Sequence, residues 1–305
     1  MSLTNTPNVI VIGASKCGTT SLYEYFSRHP DIFVPEKKEL HYHSSAELIK
    51  YTGGPGDKYI IQNICLNQQK YLDYYTEASS FLLKADVSPS YLFFPSCINS
   101  IKETCGSDVK IICMIKNPVD KMISQYTHLL SAGRETLSFK EALTKETERK
   151  SKLYADMWLY KESGYMNEKI LEFKKIFKHT IVINSEDLIK NTKDTLQIIF
   201  DFLNVDKDKL TDHSPLSKNF SGTPRSLLVS KLFIQPNFFT QTIRRIIPQR
   251  LGKTVREWIN NKNKGKKYDT DINLQKLLEA GFYDEIIKLN DIIDSPTKIQ
   301  FKYHK

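Results

Sequence analysis

The sequence predicts an α/β fold of three layers, a central parallel sheet flanked by helices, and three observations carry that prediction. Short β-branched apolar runs recur at residues 9–12, 109–115 and 180–183, with a weaker one at 81–87. They are unbroken rather than alternating, the pattern of strands buried on both faces of a parallel sheet. Between them the period becomes helical: Leu22, Tyr25 and Phe26 fall at i, i+3 and i+4, as do Ile170, Phe173 and Lys174, with Phe177 one turn on. Finally, no repeat, low-complexity tract or Pro/Gly/Ser linker divides the chain, so residues 1–305 are read as one domain. From about Pro224 onward no strand-like run remains, and this last third is expected to be helices packed around the sheet's edge.

Composition excludes several classes. With 44 Lys+Arg against 35 Asp+Glu, a net charge of +9, 40% hydrophobic and 26% charged residues, the chain is ordinary globular material. No apolar run approaches the roughly 18 residues of a membrane span, and the run at 9–12 is too early and too short for a signal peptide. A cytoplasmic location is therefore expected, with a Golgi enzyme trimmed to its catalytic domain as the alternative. Five cysteines at irregular spacing, without a Cys-x-x-Cys pair, argue against a disulfide framework, a structural metal and an oxidising compartment. Cys113, in an apolar run, and Cys65, in a helix-like stretch, are read as small core residues.

The positive charge is local. Between Gln241 and Lys267 lie Arg244, Arg245, Arg250, Lys253, Arg256, Lys262, Lys264, Lys266 and Lys267, opposed only by Glu257. A solvated helix face competes here with an anionic ligand, an acidic polymer or a membrane surface, the last not favoured. Nucleic acid is not expected, because no helix-turn-helix, zinc-finger or aromatic RNA-binding pattern accompanies the charge.

Two stretches carry chemistry. After the first strand comes Gly13-Ala14-Ser15-Lys16-Cys17-Gly18-Thr19-Thr20-Ser21, then an amphipathic helix ending near His29-Pro30. Two glycines five apart let backbone N–H groups wrap an anion, and the helix adds its positive dipole end. Against the nucleotide-binding pattern G-x-x-x-x-G-K-[ST], Thr19 stands where the lysine belongs, and the lysine has moved inside the loop as Lys16. There it would meet the first phosphate group in the loop, which suits a leaving group with one phosphate and a transferable group. The second stretch follows the strand at 109–115. Asn117 is a good N-cap, Pro118 fits the first helical position and Asp120 the first turn. Lys116 at the strand end and Ser124 two turns into the helix both stand near the crevice where open α/β sheets bind ligands, so a second anion could sit between them.

Together, residues 13–21 and 116–126 resemble the two signatures of sulfotransferases that use 3′-phosphoadenosine 5′-phosphosulfate (PAPS), and the chain is most similar to the carbohydrate and bacterial branch that includes the heparan sulfate enzymes. Pro35-Glu36-Lys37-Lys38-Glu39-Leu40-His41-Tyr42, Asp86-Val87-Ser88-Pro89-Ser90-Tyr91, Ser185-Glu186-Asp187-Leu188 and Lys264-Gly265-Lys266-Lys267-Tyr268 extend the resemblance. It implies a P-loop-like fold and transfer of a sulfuryl group from PAPS to a hydroxyl or amine, leaving adenosine 3′,5′-bisphosphate. It also implies that Ser15, Lys16, Gly18, Thr19, Thr20 and Ser21 hold the 5′-phosphosulfate, that Lys116 and Ser124 hold the 3′-phosphate, and that Lys264, Gly265 and Lys266 form a mobile loop closing over the nucleotide. Lys16 would also be catalytic. Three positions depart from the pattern: Lys116 replaces the usual Arg, Val87 stands where a Lys commonly precedes Ser-Pro, and Gly164-Tyr165-Met166 stands at the Gly-x-Tyr element.

No metal is expected, since no acidic cluster adjoins the loop. The acceptor, a glycan, a lipid headgroup or a small metabolite, needs a base. Glu39, with His41 two residues on, is preferred, with a pKa expected to be raised by partial burial; Asp86 at the end of its strand is the second choice, and His43 and His128 are further candidates. A P-loop kinase and a non-catalytic nucleotide-binding protein are the alternatives.

Overall fold

The computed structural model describes residues 5–210, 212, 222–231, 258–259 and 262–303. Five strands form one parallel sheet: β1 (Val9–Gly13), β2 (Ile32–Phe33), β3 (Leu83–Val87), β4 (Lys110–Ile115) and β5 (Thr180–Asn184), in the order β2-β3-β1-β4-β5. Every residue of β1 is buried and so is β4 after Lys110, which explains the uninterrupted hydrophobicity of both runs. The pairs Val9–Lys110 and Val9–Ala85 set the register on either side of β1.

Helices pack on this sheet as its faces require. The first, α1 (Thr19–Ser27), buries Leu22, Tyr25 and Phe26; α2 (Ser96–Cys105) buries Cys97, Ile98 and Ile101. The longest, α3 (Pro118–Ser131), starts as its sequence requires, Asn117 Oδ1 accepting from the N–H groups of Val119 and Asp120 at 2.9 and 3.3 Å. α4 (Asn167–Ile176), α5 (Thr192–Leu203), α6 (Ile272–Gly281) and α7 (Tyr283–Ile292) complete the layers. One continuous core joins strands and helices.

Two expectations need correction. The last third is not purely helical: β6 (Gly222–Pro224) pairs antiparallel with β7 (Lys264–Lys267), and Ser131 at the end of α3 donates to the Gly222 carbonyl at 2.5 Å. The Lys264–Lys267 segment, expected as a free loop, is therefore a strand. Backbone pairing needs no apolar side chains, so hydropathy could not reveal it; Gly265 is required because a Cβ there would stand 2.7 Å from the Thr223 carbonyl. Cys65 is not helical either. It follows the short helix Asp57–Ile61 in an irregular segment, its N–H donating to the Leu40 carbonyl at 2.9 Å, although it is buried as expected. Arg244, Arg245, Arg250, Lys253 and Arg256 lie outside the described residues.

Candidate active site

The chain leaves β1 toward β2 and β3 on one side and later fills β4 and β5 on the other, so the strand order reverses at the carboxyl end of β1. That is the topological switch point where open α/β sheets bind ligands. A cleft of about 1340 Å³ opens there, lined by the loop after β1, by Glu39, His41 and Ser90 toward β3, and by Lys116, Ser124 and Ser185 toward β5. Single ligands usually occupy about 300–1,000 Å³, so the cleft has room for two substrates.

The loop is built on conformations few side chains adopt. Gly18 has φ 79° and immediately precedes α1; a Cβ there would stand 2.9 Å from Ser185 Cβ, so only glycine fits. Lys16 has φ 74°, and Glu39 and His41 across the cleft have φ 58° and 53°. Each left-handed non-glycine residue costs on the order of 1–3 kcal/mol, and such strain concentrates at functional sites. Here three of the five described non-glycine residues with positive φ line one cleft. The N–H groups of Lys16, Gly18, Thr19 and Thr20 have no partner in the loop's own backbone turns, which join Cys17 to Ala14 and Ser21 and Leu22 to Gly18. Free donors at the N-terminus of a nine-residue helix make an anion cradle.

Charge completes it. Among the described residues neither Lys16 nor Lys116 forms an ion pair, whereas Lys302, in the same cleft, is held by Asp120 and Glu186. Burial pushes the Lys16 ammonium below its usual range; Lys116 and Lys38 push the same way and Glu39 opposes them. These groups fit a ligand with anionic groups on both sides of the β1–β4 strand ends. Ser15, Gly18, Thr19, Thr20, Ser21, Ser124 and Lys266 line the same cleft, but Lys264 and Gly265 do not.

The base candidates separate sharply. Glu39 is half-exposed, accepting from Lys38 Nζ at 2.8 Å with His41 Nε2 3.7 Å away, while Lys38 also donates to Thr20 Oγ1 at 2.5 Å. Burial alone would raise its carboxyl, but the neighbouring His41 ring and the Lys38 ammonium outweigh it and hold the group at about 2. The expected raised pKa is thus corrected: the preceding lysine of the motif reaches the carboxylate as well as the loop. His41 Nδ1 is 2.7 Å from Ser90 Oγ.

Asp86 does not open on the cleft. It is buried, accepting from Ser88 and Tyr91 hydroxyls at 2.7 Å and from Tyr71 at 2.9 Å, with its pKa raised by burial against those hydrogen bonds. This corrects its reading as a base, since a strand-end position says nothing about which face the side chain takes. Ser88 Oγ in turn accepts the His41 N–H at 3.2 Å, so Asp86 braces the segment bearing His41. His43 is also internal, against Ser100 and Tyr71, and burial holds its pKa at about 3. His128 is exposed and lines the cleft.

Some lining residues carried no sequence signal. Asp57, Arg134 and Asp156 come from three segments with no motif and meet only through the fold. Tyr165, at the Gly-x-Tyr position, is half-exposed outside the main cleft and stacks on Phe282 with ring centres 4.6 Å apart.

Comparison with known proteins decides the family: the model of the sulfotransferase domain matches residues 6–223. The chain belongs to the sulfotransferase domain family. A crystal structure of a sulfotransferase from Alicyclobacillus acidocaldarius superposes with a TM-score of 0.74 at 26% identity, covering 95% of this chain and 97% of that one. Heparan sulfate glucosamine 3-O-sulfotransferase 3B1 of Mus musculus is 24% identical over 79% of this chain and 59% of its own length. Carbohydrate sulfotransferase 15 of Rattus norvegicus is 21% identical over 72% of this chain and 48% of its own. The membrane-associated sulfotransferase kil1 of Dictyostelium discoideum is 31% identical over 39% of this chain and 22% of its length. The alignments thus span at most about three-fifths of the length of the last three relatives. No helix among the described residues is long and apolar enough to cross a membrane.

Proposed function

We propose that this sulfotransferase domain moves the sulfuryl group of PAPS to a hydroxyl or amine of a carbohydrate or small metabolite, in line and without a metal. The observation that carries the donor half is that Lys16 and Lys116, neither of which forms an ion pair among the described residues, line one cleft with the N-terminus of α1. When bound, PAPS supplies an activated sulfur whose bond to the 5′-phosphate oxygen can break.

In this reading the chain's residues divide the work. The N–H groups of the loop and the Ser15, Thr19, Thr20 and Ser21 hydroxyls hold the 5′-phosphosulfate. Lys16 stabilises the charge developing on the bridging oxygen, as an oxyanion hole does. Lys116 and Ser124 hold the 3′-phosphate; Lys116 does so as a point charge, where an arginine would form a bidentate fork. Glu39 stays ionised at working pH and draws the acceptor proton, with His41 beside it to carry the proton onward. Lys266 reaches the same cleft from β7 and covers the nucleotide from that side. A kinase is not favoured, because its loop needs the lysine after the second glycine, where this chain has Thr19.

Calorimetry with adenosine 3′,5′-bisphosphate, AMP and Mg-ATP tests the donor half. The bisphosphate should bind about 10–100-fold more tightly than AMP, one charge-assisted contact contributing about 1.5–3 kcal/mol. Equal binding of the two removes the second anion site, and tightest binding of Mg-ATP returns the kinase.

A further inference from the structure

The β3 side of the cleft is chemically unlike the β4 side. Beyond His41 its wall is Leu48, Tyr51, Ile61, Ile64, Ala155 and Met157, apolar side chains that pack on the main core from behind. Among the described residues the cation on this wall is Arg134, and it is already engaged. Its side chain is 4% exposed, Nε donates to the Pro55 carbonyl at 2.6 Å, and the guanidinium pairs with Asp57. Asp57 is itself saturated, accepting from the N–H groups of Gly54 at 2.9 Å and Ala155 at 3.0 Å and from Trp158 Nε1 at 3.1 Å.

Asp156, next along the wall, is different. It is buried, lines the cleft and forms no ion pair among the described residues. The titratable and charged groups facing it are His41, Lys121, Lys169, Arg134 and Asp57. Lys121 is bound to Gln125 and Ser163. Burial pushes the Asp156 carboxyl above its usual range, the direction expected where no cation closes on it.

An apolar wall whose cation is neutralised, and whose one further acidic side chain among the described residues is the buried Asp156, offers no counter-charge to a polyanion. We propose that the acceptor is an uncharged alcohol on an apolar body and that Asp156 is the specificity residue that turns away anionic acceptors, an inference that rests on the sulfotransferase reading. The alcohol oxygen forms the new bond to sulfur. The bond from sulfur to the 5′-phosphate oxygen breaks with its electron pair on that oxygen, and the alcohol's proton passes to Glu39 and His41.

The test measures release of adenosine 3′,5′-bisphosphate from PAPS with 1-butanol, 1-octanol, 8-hydroxyoctanoate and desulfated heparan as acceptors, alongside calorimetric affinity for the nucleotide. Each added methylene should raise kcat/KM about fourfold. Octanol should exceed hydroxyoctanoate roughly a hundredfold, from one like-charge contact at partial burial, and Asp156→Asn should shrink that ratio at least tenfold. Met157→Glu, on the open wall, keeps the test falsifiable should Asp156→Asn fail to fold: it should lower octanol turnover tenfold or more at unchanged nucleotide affinity. Equal use of octanol and hydroxyoctanoate, or turnover of heparan and of no alcohol, with nucleotide affinity intact, overturns the acceptor assignment and spares the sulfotransferase reading. Absence of nucleotide binding overturns both.

Discussion

Replacing Lys16 by methionine removes the ammonium while keeping most of the side chain's length and the left-handed backbone that the wild-type residue already adopts at φ 74°. Since no carboxylate among the described residues pairs with Lys16, its charge is available to a ligand, with Glu39 acting on it at longer range. Deleting one preorganised donor to a developing oxyanion costs about 2.7–4 kcal/mol, hence about 10²–10³ in single-turnover rate. Donor affinity should fall less, by under about tenfold, because losing one cation also relieves its repulsion of Lys116 and Lys38. The alkaline limb supplies an independent sign. The pKa of Lys16 lies below its unfolded value, so deprotonation favours the folded state and stability of the ligand-free protein should rise with pH through that range, while the rate, which needs the cation, should fall. The methionine variant should show neither slope. Rapid-quench measurement of bisphosphate release, with affinity from calorimetry and stability from urea melts, reads all three. A variant rate within threefold of wild type, or a loss confined to donor affinity, would refute the assignment of Lys16 to the transition state.

Further outcomes follow from the same geometry. Glu39→Gln should lower the single-turnover rate by about 10²–10⁴ with nucleotide affinity nearly unchanged; a rate equal to wild type would move the proton to His41 or His128. Because the Glu39 carboxyl is held at about 2, its stabilising contribution is present above the unfolded carboxylate range and is lost as pH falls toward 2, so the glutamine variant should show a shallower acid dependence in urea melts. Asp86→Asn should act on the fold first, since three hydroxyls donate to that carboxylate; a loss of rate without a lower melting temperature would restore Asp86 to the chemistry. Activity should survive EDTA, and a strict Mg²⁺ requirement would argue for phosphoryl transfer.

Much of this protein is readable along the chain because its information is local. A buried parallel strand must be apolar on both faces, so 9–12, 109–115 and 180–183 stand out as β1, β4 and β5. A cap is a contact between residues two or three apart, so Asn117 marks the start of α3. The anion cradle is equally local: glycine spacing, the displaced Lys16 and the helix behind it are one segment, and they carried the family resemblance. β2, only two residues long, and β6 with β7, built on backbone pairing, leave no such trace.

The tertiary structure decides whatever depends on direction and company. Asp86 and Glu39 each sit in a motif-like stretch, yet one side chain turns inward to three hydroxyls and the other outward to Lys38 and the cleft. Burial and partners set a pKa, and both are properties of packing, which is why Glu39 lies low, the reverse of what its motif suggested, and Asp156 high. Arg134 and Asp57 neutralise one another across 77 positions of sequence, and with Leu48, Ile61 and Met157 they form a wall no single segment contains. The sequence alone determined strands β1, β4 and β5 and the loop after β1, because each is encoded within a few adjacent residues; the apolar wall and the surroundings of its carboxylates exist only once distant segments are folded against each other.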